Sequence, residues 1–323
     1  MIPANTSVIV VGGLHTDIIA HGVKKILQPG ELTLGKELKI GPGGKSRNIA
    51  QMIATLTDNK TVAMIGKTSM DPFRLWEPPV TALKKAGVNT DFVQLIPFAK
   101  AKKFPAIALI PVDTQGNNQI YVLPGINEDF SKKDIDQALP LFKTVQKNHG
   151  ILVLSLELPL KTATHAIKLA NKHNIKVLLD PGGIIETENY EQLFYQKIFL
   201  FKPNEHEVKI LTGITIKDFT SAQRGAEILL QKGIENVLIT VGKNGAYFFN
   251  ENTKEHMKIP KVSETKQKDE TGCGDQTIAA IGSFLSEGEI LLESIKLGLL
   301  AGTLQFHKTG IQPITKKELL KAR

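Results

Sequence analysis

The sequence predicts an α/β protein built on a buried parallel sheet, and three features carry that prediction. Short apolar, β-rich runs recur throughout the 323 residues. From Ile151 onward they alternate with segments of helical period, the pattern of successive βαβ units. A hydrophobic content of 41% with 22% charged residues, in a chain this long, suffices for one large core.

Taken in order, strands are expected over 7–12, 61–65, 106–111, 119–123, 151–155, 177–179, 197–201, 237–241 and 246–249. Helices are expected over 47–56, 162–172, 205–211, 221–232 and 275–285. A further helix should start near Pro79, because Glu77-Pro78-Pro79 would break one begun at Pro72. Residues 20–40 and 92–123 hold short extended pieces and turns such as Gln115-Gly116-Asn117, but no helical period. They read as a small β appendage, a candidate lid with segments near 18–42 and 92–124. No repeat, long linker or low-complexity tract intervenes, so one domain over 1–323 is expected.

Net charge is +8, from 40 Lys+Arg against 32 Asp+Glu. The lysines are dispersed, with few aromatics among them, so no nucleic-acid partner is expected. A mild positive field suits an anionic small molecule better. The one cysteine, Cys273, cannot form an intrachain disulfide, and the first residues lack the charged and apolar regions of a signal peptide. The expected location is therefore the cytoplasm. No apolar run approaches the length of a membrane span, so no membrane partner is expected, and no Cys/His cluster has zinc spacing.

Chemistry concentrates in four stretches. Asp269–Leu285 reads as a glycine-rich turn feeding a helix whose apolar stripe is Ile278, Ile281 and Leu285. Free N–H groups at such a helix start attract anions, and Asp275 sets a carboxylate beside them. Gly41-Pro42-Gly43-Gly44-Lys45-Ser46 is not a P-loop, because its first glycine would fall on Lys39. It still offers close backbone approach, with Asn48 supplying donors and acceptors. Lys202-Pro203-Asn204-Glu205-His206-Glu207 follows an expected strand, and Asn204 and Glu207 share a helix face, as suits Mg²⁺ or phosphate; helix capping by Asn204 is the plainer alternative. Thr240–Gly245 joins two strands as a glycine-containing hairpin. Asp17 and Glu157 are acidic groups at strand ends. Cys273, at a helix start, invites a nucleophilic role, but no motif ties a histidine to it.

In their order these segments resemble the ribokinase-like (PfkB) family of carbohydrate kinases over nearly the whole chain. Asp269-Glu270-Thr271-Gly272-Cys273-Gly274-Asp275 is similar to the family's D-T-x-G-A-G-D, and Gly43-Gly44-Lys45-Ser46-Arg47-Asn48 to its glycine-pair signature. Asn204…Glu207 matches N-x-x-E, Thr240…Gly245 matches T-x-G-x-x-G, and Leu156-Glu157-Leu158-Pro159 is similar to L-E-x-P. Leu123–Asn127 and Gly310–Pro313 also resemble ribokinase segments.

The resemblance implies a doubly wound, mostly parallel α/β sheet flanked by helices, with a small β lid. It implies transfer of the γ-phosphoryl of ATP, with Mg²⁺, to a primary hydroxyl of a small sugar. Asp275 would be the general base, and the backbone of Gly272, Cys273 and Gly274 the anion hole. Asp17, Gly43, Gly44, Lys45, Asn48 and Glu157 would hold the acceptor. Asn204, Thr240, Gly242, Gly245 and Gly274 would line the ATP site, and Glu207 would organise Mg²⁺ through water. Asp269 and Thr271 lie in the segment that binds a monovalent cation such as K⁺ in some members, with Lys266 and Lys268 nearby. Lids pair into a homodimer in some members.

The chain also departs from the pattern. Glu270 and Cys273 replace the usual Thr and Ala but leave the glycines and the base intact. Thr68-Ser69-Met70-Asp71 lacks a glycine before its Asp, and His15 stands where ribokinases usually have Asn. Arg47-Asn48-Ile49-Ala50 is similar to the R-N-I-A of pseudouridine kinases, which keeps a nucleoside acceptor open, while Lys45 and Arg47 keep a sugar phosphate open. From another class, a non-catalytic ligand-binding protein on this fold is opposed by the retained Asp275 and signature glycines.

Overall fold

The computed structural model describes residues 2–57, 62–262 and 268–323. In chain order its strands are β1 (Val8–Val11), β2 (His15–Val23), β3 (Glu37–Gly43), β4 (Val62–Met70), β5 (Asn89–Pro97), β6 (Ala106–Asp113), β7 (Tyr121–Leu123), β8 (Ile151–Ser155), β9 (Lys176–Asp180), β10 (Leu200–Phe201), β11 (Asn236–Thr240), β12 (Ala246–Asn250) and β13 (Lys254–Met257). The helices are α1 (Lys45–Leu56), α2 (Glu77–Lys85), α3 (Phe98–Ala101), α4 (Lys132–Gln137), α5 (Leu139–Lys147), α6 (Leu160–Lys172), α7 (Glu205–Thr212), α8 (Phe219–Gln231), α9 (Cys273–Ser286), α10 (Leu291–Phe306) and α11 (Lys316–Ala322).

The larger sheet has the order β13-β12-β11-β10-β9-β8-β1-β4-β5 and is parallel except where β12 pairs with β11 and β13. Strand β1, Val-Ile-Val-Val, explains why its central strands need no polar residue. Ile9 and Val11 join one core with side chains of α4 to α8, while Val8 and Val10 join another with α1, α2, α9 and α10. Alternate side chains of a strand face opposite sides, so a sheet covered on both faces must be apolar throughout. This two-sided cover is the doubly wound architecture expected.

Strand order reverses between β1 and β8: from β1 the sheet steps out through β4 to β5, and from β8 the other way to β11. Such a switch leaves a crevice at the carboxyl ends of the strands, where ligands bind. Gly12-Gly13 leave β1 there, Glu157 follows β8, Asp180 ends β9, Lys202 follows β10 and Thr240 ends β11.

The second sheet, of order β3-β2-β6-β7, is the expected appendage, with two corrections. Residues 92–97 belong to β5, the edge of the main sheet, where Phe92 pairs with Ile65 and Val93 with Gly66. The appendage instead starts early, at His15, so Asp17 lies within its first strand and pairs with Gly41 and Ala108.

Other boundaries moved for local reasons. Helix α2 starts at Glu77 with both prolines in its first turn, where a missing N–H costs nothing. The strands expected over 119–123 and 197–201 shrink to β7 and β10. Helix α10 was not expected at all. It is apolar almost all round because it packs against α9 and α11 as well as the sheet. Gly298 and Gly302 let its backbone lie against α9: a Cβ on Gly302 would stand 3.0 Å from the Cys273 carbonyl. Helices α3, α4, α5 and α11 and strand β13 were also missed, α3 lying inside the stretch expected to hold no helix. Thr61 and Lys266 lie outside the described residues. Among those described, no helix is long and apolar enough to cross a membrane.

Candidate active site

Two helices start at the crevice, each after a glycine turn. Asp275, in the first turn of α9, is only 4% exposed. It accepts a hydrogen bond from Asn48 Nδ2 of α1 at 2.8 Å, and Lys45 Nζ lies 3.5 Å from its Oδ1. Asn48 Oδ1 accepts in turn from the Arg47 guanidinium. Arg47 is completely buried and also donates to Gln51, to the Pro42 carbonyl at 2.8 Å and to the Gly43 carbonyl at 3.2 Å. Burial pulls its pKa down to about 10, against the carboxylates of Asp17, Asp275 and Glu157. The Arg47–Asn48–Asp275 chain fixes which way the Asn48 amide points.

Asp17 reaches the same space from β2. A Cβ on Gly43 would run into its carboxylate, so the glycine is needed for this close approach. Burial raises the Asp17 carboxyl above its ordinary range; Arg47 and His15 oppose the shift, and Glu157 and Asp275 add to it. Glu157 Oε2 accepts from the Lys45 amide at 2.6 Å, which seats a carboxylate on the N-terminus of α1. Gly44 caps that helix without a side chain of its own. Nearby, Asn127 Nδ2 is buried without a hydrogen-bond partner among the described residues. It, the Glu157 carbonyl and His15 Nε2 lie 2.7, 2.8 and 3.0 Å from where a side chain on Gly13 would begin.

On the other side of Asp275 the crevice opens into a cleft of about 840 Å³. Thr240, Gly242, Gly245, Gly272, Cys273 and Gly274 line it, with Leu299 and Phe306 of α10 adding an apolar wall. Asn204 and Glu207 line it too, yet they also form the capping box of α7. Asn204 Oδ1 accepts from the Glu207 amide at 2.9 Å, and Glu207 Oε2 from the Asn204 amide at 2.8 Å. The capping alternative is therefore observed, and each side chain keeps one polar atom outside the box. Burial, then Asp180, raises the Glu207 carboxyl.

At the start of α9, Gly272 adopts φ 74°, the left-handed region. The Cys273 amide donates to the Glu270 carbonyl at 3.2 Å, while those of Gly274 and Asp275 have no partner among the described residues. Two open amides at the start of a 14-residue helix can donate to an anion. The Cys273 thiol is pushed up to about 12 by burial and then by Asp269, Glu270 and Asp275, which disfavours the thiolate form. Asp269 does not line the cleft. Its carboxylate accepts from the Thr271 amide at 2.9 Å and the Gly310 amide at 2.8 Å, tying this turn to the chain after α10.

Sequence reasoning missed Asp180. It ends β9 much as Glu157 follows β8, and that shared position was the available signal. The burial of Arg47 had no signal, because nothing local shows which side of α1 is covered. No group of three His, Cys, Asp or Glu side chains capable of holding a metal occurs among the described residues.

Together, a buried carboxylate at an open helix start and a nucleotide-sized cleft beyond it define a phosphotransferase with an alcohol acceptor. Residues 5–318 match the pfkB family carbohydrate kinases, and the chain belongs to that family. It is 29% identical over 303 residues to the deoxyribokinase of Salmonella typhi, covering 94% of this chain and 93% of that one. It is 30% identical over 308 residues to the ribokinase of Staphylococcus aureus (strain COL), covering 94% and 95%. The fold is similar to that of Arabidopsis thaliana ribokinase complexed with ribose and ATP, with a TM-score of 0.85 at 24% identity over 98% of both chains. The protein is an ATP-dependent sugar kinase.

Proposed function

We propose that the protein phosphorylates the primary hydroxyl of a free pentose of the ribose and deoxyribose class. The observation that carries the reading is Asp275: buried, oriented by Asn48, and one residue from an open amide. Asp275 removes the proton of the acceptor hydroxyl as that oxygen attacks the γ-phosphorus. The Gly274 and Asp275 amides, with Gly272, receive the charge that develops on the phosphoryl oxygens; the Cys273 amide must first leave the Glu270 carbonyl to join them. Asp17, Asn48 and Glu157 hold the acceptor's other hydroxyls beside Gly43 and Gly44, with Lys45 between acceptor and phosphate. Thr240, Gly242 and Gly245 border the nucleotide, with Asn204 near its phosphates.

Glu207 suits a hydrated divalent ion. One of its oxygens is free of the capping box, and it belongs to no group of three metal-ligating side chains among the described residues. Bound there with the phosphates, Mg²⁺ would neutralise their charge. A monovalent cation beside Asp269 and Thr271 would stiffen the start of α9. The location proposed is the cytoplasm. The second sheet presents Leu38, Ile40, Tyr121 and Val122 more than half exposed, and a second copy of the chain would cover them.

The deciding experiment is acceptor-dependent ADP release from MgATP with ribose, deoxyribose, fructose, fructose 6-phosphate, adenosine, pseudouridine and water alone. Turnover with a pentose well above the others is expected. Preference for a nucleoside or a sugar phosphate would overturn the acceptor assignment.

A further inference from the structure

Lys202 is 3% exposed, yet it forms part of the cleft wall. Its Nζ lies 2.7 Å from Asp180 Oδ2, a side chain itself 3% exposed. Asp180 Oδ1 is held by the Gly182 amide at 2.8 Å, so the carboxylate is fixed at both ends. Nζ also stands 3.5 Å from where a Cβ on Gly274 would be, against the open first turn of α9. Beyond Asp180 it has no partner among the described residues, which leaves two of its three N–H donors for a ligand.

The pair belongs to a row of alternating charge between acceptor and nucleotide sides: Asp275, Lys45, Asp180, Lys202, Glu207. Lys45 is raised first by Asp275, then also by Asp180, Glu157 and Glu207, against its burial. Burial pushes the Asp180 carboxyl up, but Lys202 and Lys45 bring it net below its ordinary value. Stability does not account for such a pair. Two apolar or neutral residues of like size would usually serve the fold as well, because removing both charges from water offsets their attraction.

We propose that Lys202 is a catalytic residue that contacts the γ-phosphoryl group of ATP through transfer, with Asp180 as the positioning residue that holds it there. Position selects that group. Gly274 adjoins the base Asp275, whereas the apolar wall of Leu299 and Phe306 suits the base end of the nucleotide. In the step, the acceptor oxygen–phosphorus bond forms and the bond from γ-phosphorus to the bridging oxygen breaks. The electron pair leaves with ADP, and the hydroxyl proton goes to Asp275. Lys45 and Lys202 flank the moving group at its acceptor and donor ends and take no part in the proton transfer, acting by charge alone.

The inference rests on ATP as the donor, so its first test needs no acceptor: calorimetric affinities for MgATP and MgADP. Lys202→Met should lower the ratio of ATP to ADP affinity by about tenfold or more, as expected for a lost charge-assisted contact. It should lower acceptor-dependent kcat by about two to three decades with acceptor KM within about threefold. Lys202→Met alone strands a buried carboxylate and risks misfolding, so Asp180→Asn/Lys202→Met, which removes both charges, is the second variant. That double variant should regain thermal stability while both the affinity ratio and kcat stay low. Recovery of the wild-type ratio and kcat in the double variant would reduce Lys202 to a counter-ion for Asp180 and overturn the proposal. Absence of ATP binding by the wild type would remove the donor and this role with it.

Discussion

Helices α1 and α9 begin alike and do opposite things. Both follow glycines, both point an N-terminus into the crevice, and both carry a polar residue in the first turn. At α1 the protein fills the anion position itself, because the Glu157 carboxylate takes the Lys45 amide from 112 residues away. At α9 two amides stay open, and Lys202 rather than a carboxylate stands against the turn. A glycine turn before a helix is therefore only the offer of an anion site. What arrives from distant strands decides whether the protein or a ligand occupies it.

The sharpest way to break this contrast is to remove what only α9 has. Asp275→Asn should lower acceptor-dependent ADP release by about two to four decades while leaving ATP affinity nearly unchanged. Retained turnover would move the base elsewhere. At α1 the corresponding loss is structural as well: Glu157→Ala should cost about 2 kcal/mol of stability in urea unfolding, the usual worth of a hydrogen bond to a charged group, and weaken acceptor binding. An unchanged midpoint would mean that the α1 amide is as open as those of α9.

Acid titration sharpens the comparison from the acceptor side. Burial raises the Asp17 carboxyl, so its ionised form, the one that would accept hydrogen bonds from acceptor hydroxyls under the proposed function, is lost as pH falls through a value above the ordinary Asp range. The kcat/KM for acceptor should fall on the acid side above about pH 4. For folding the sign is opposite: a raised carboxyl contributes stability below its unfolded value and loses it as pH rises. A limb at or below the ordinary range would place Asp17 outside the acceptor site. The smallest effect is expected of Cys273→Ala. With the thiol pushed up to about 12, turnover within about threefold of wild type should follow, and a hundredfold loss would give sulfur a role.

The parallel sheet was legible because the interiors of β1, β8 and β9 are apolar, and the candidate site because glycine turns stand before α1 and α9. Strand β5 was not legible. As an edge strand, Asn89–Pro97 mixes polar and apolar residues and resembles the loops of the appendage. Helix α10 failed for the converse reason, since Leu-Gly-Leu-Leu-Ala-Gly leaves no polar face to reveal a period. Lys202 was visible as a letter beside Asn204, but its role depends on Asp180 and Gly274, partners no local spacing could reveal.

Strand β1 carries a last consequence, for how the chain assembles. Val8 pairs with Val62 on one side and with Ile151 on the other. During synthesis the middle of the sheet is made long before its second neighbour exists. Until Ile151–Leu154 is available, Val8–Val11 presents a bare apolar edge, the kind of surface that invites association with other chains. Refolding from urea should be slow and should lose yield as protein concentration rises, more so for a chain ending before Ile151. The strand that anchors the finished enzyme is the one most at risk while it is being made.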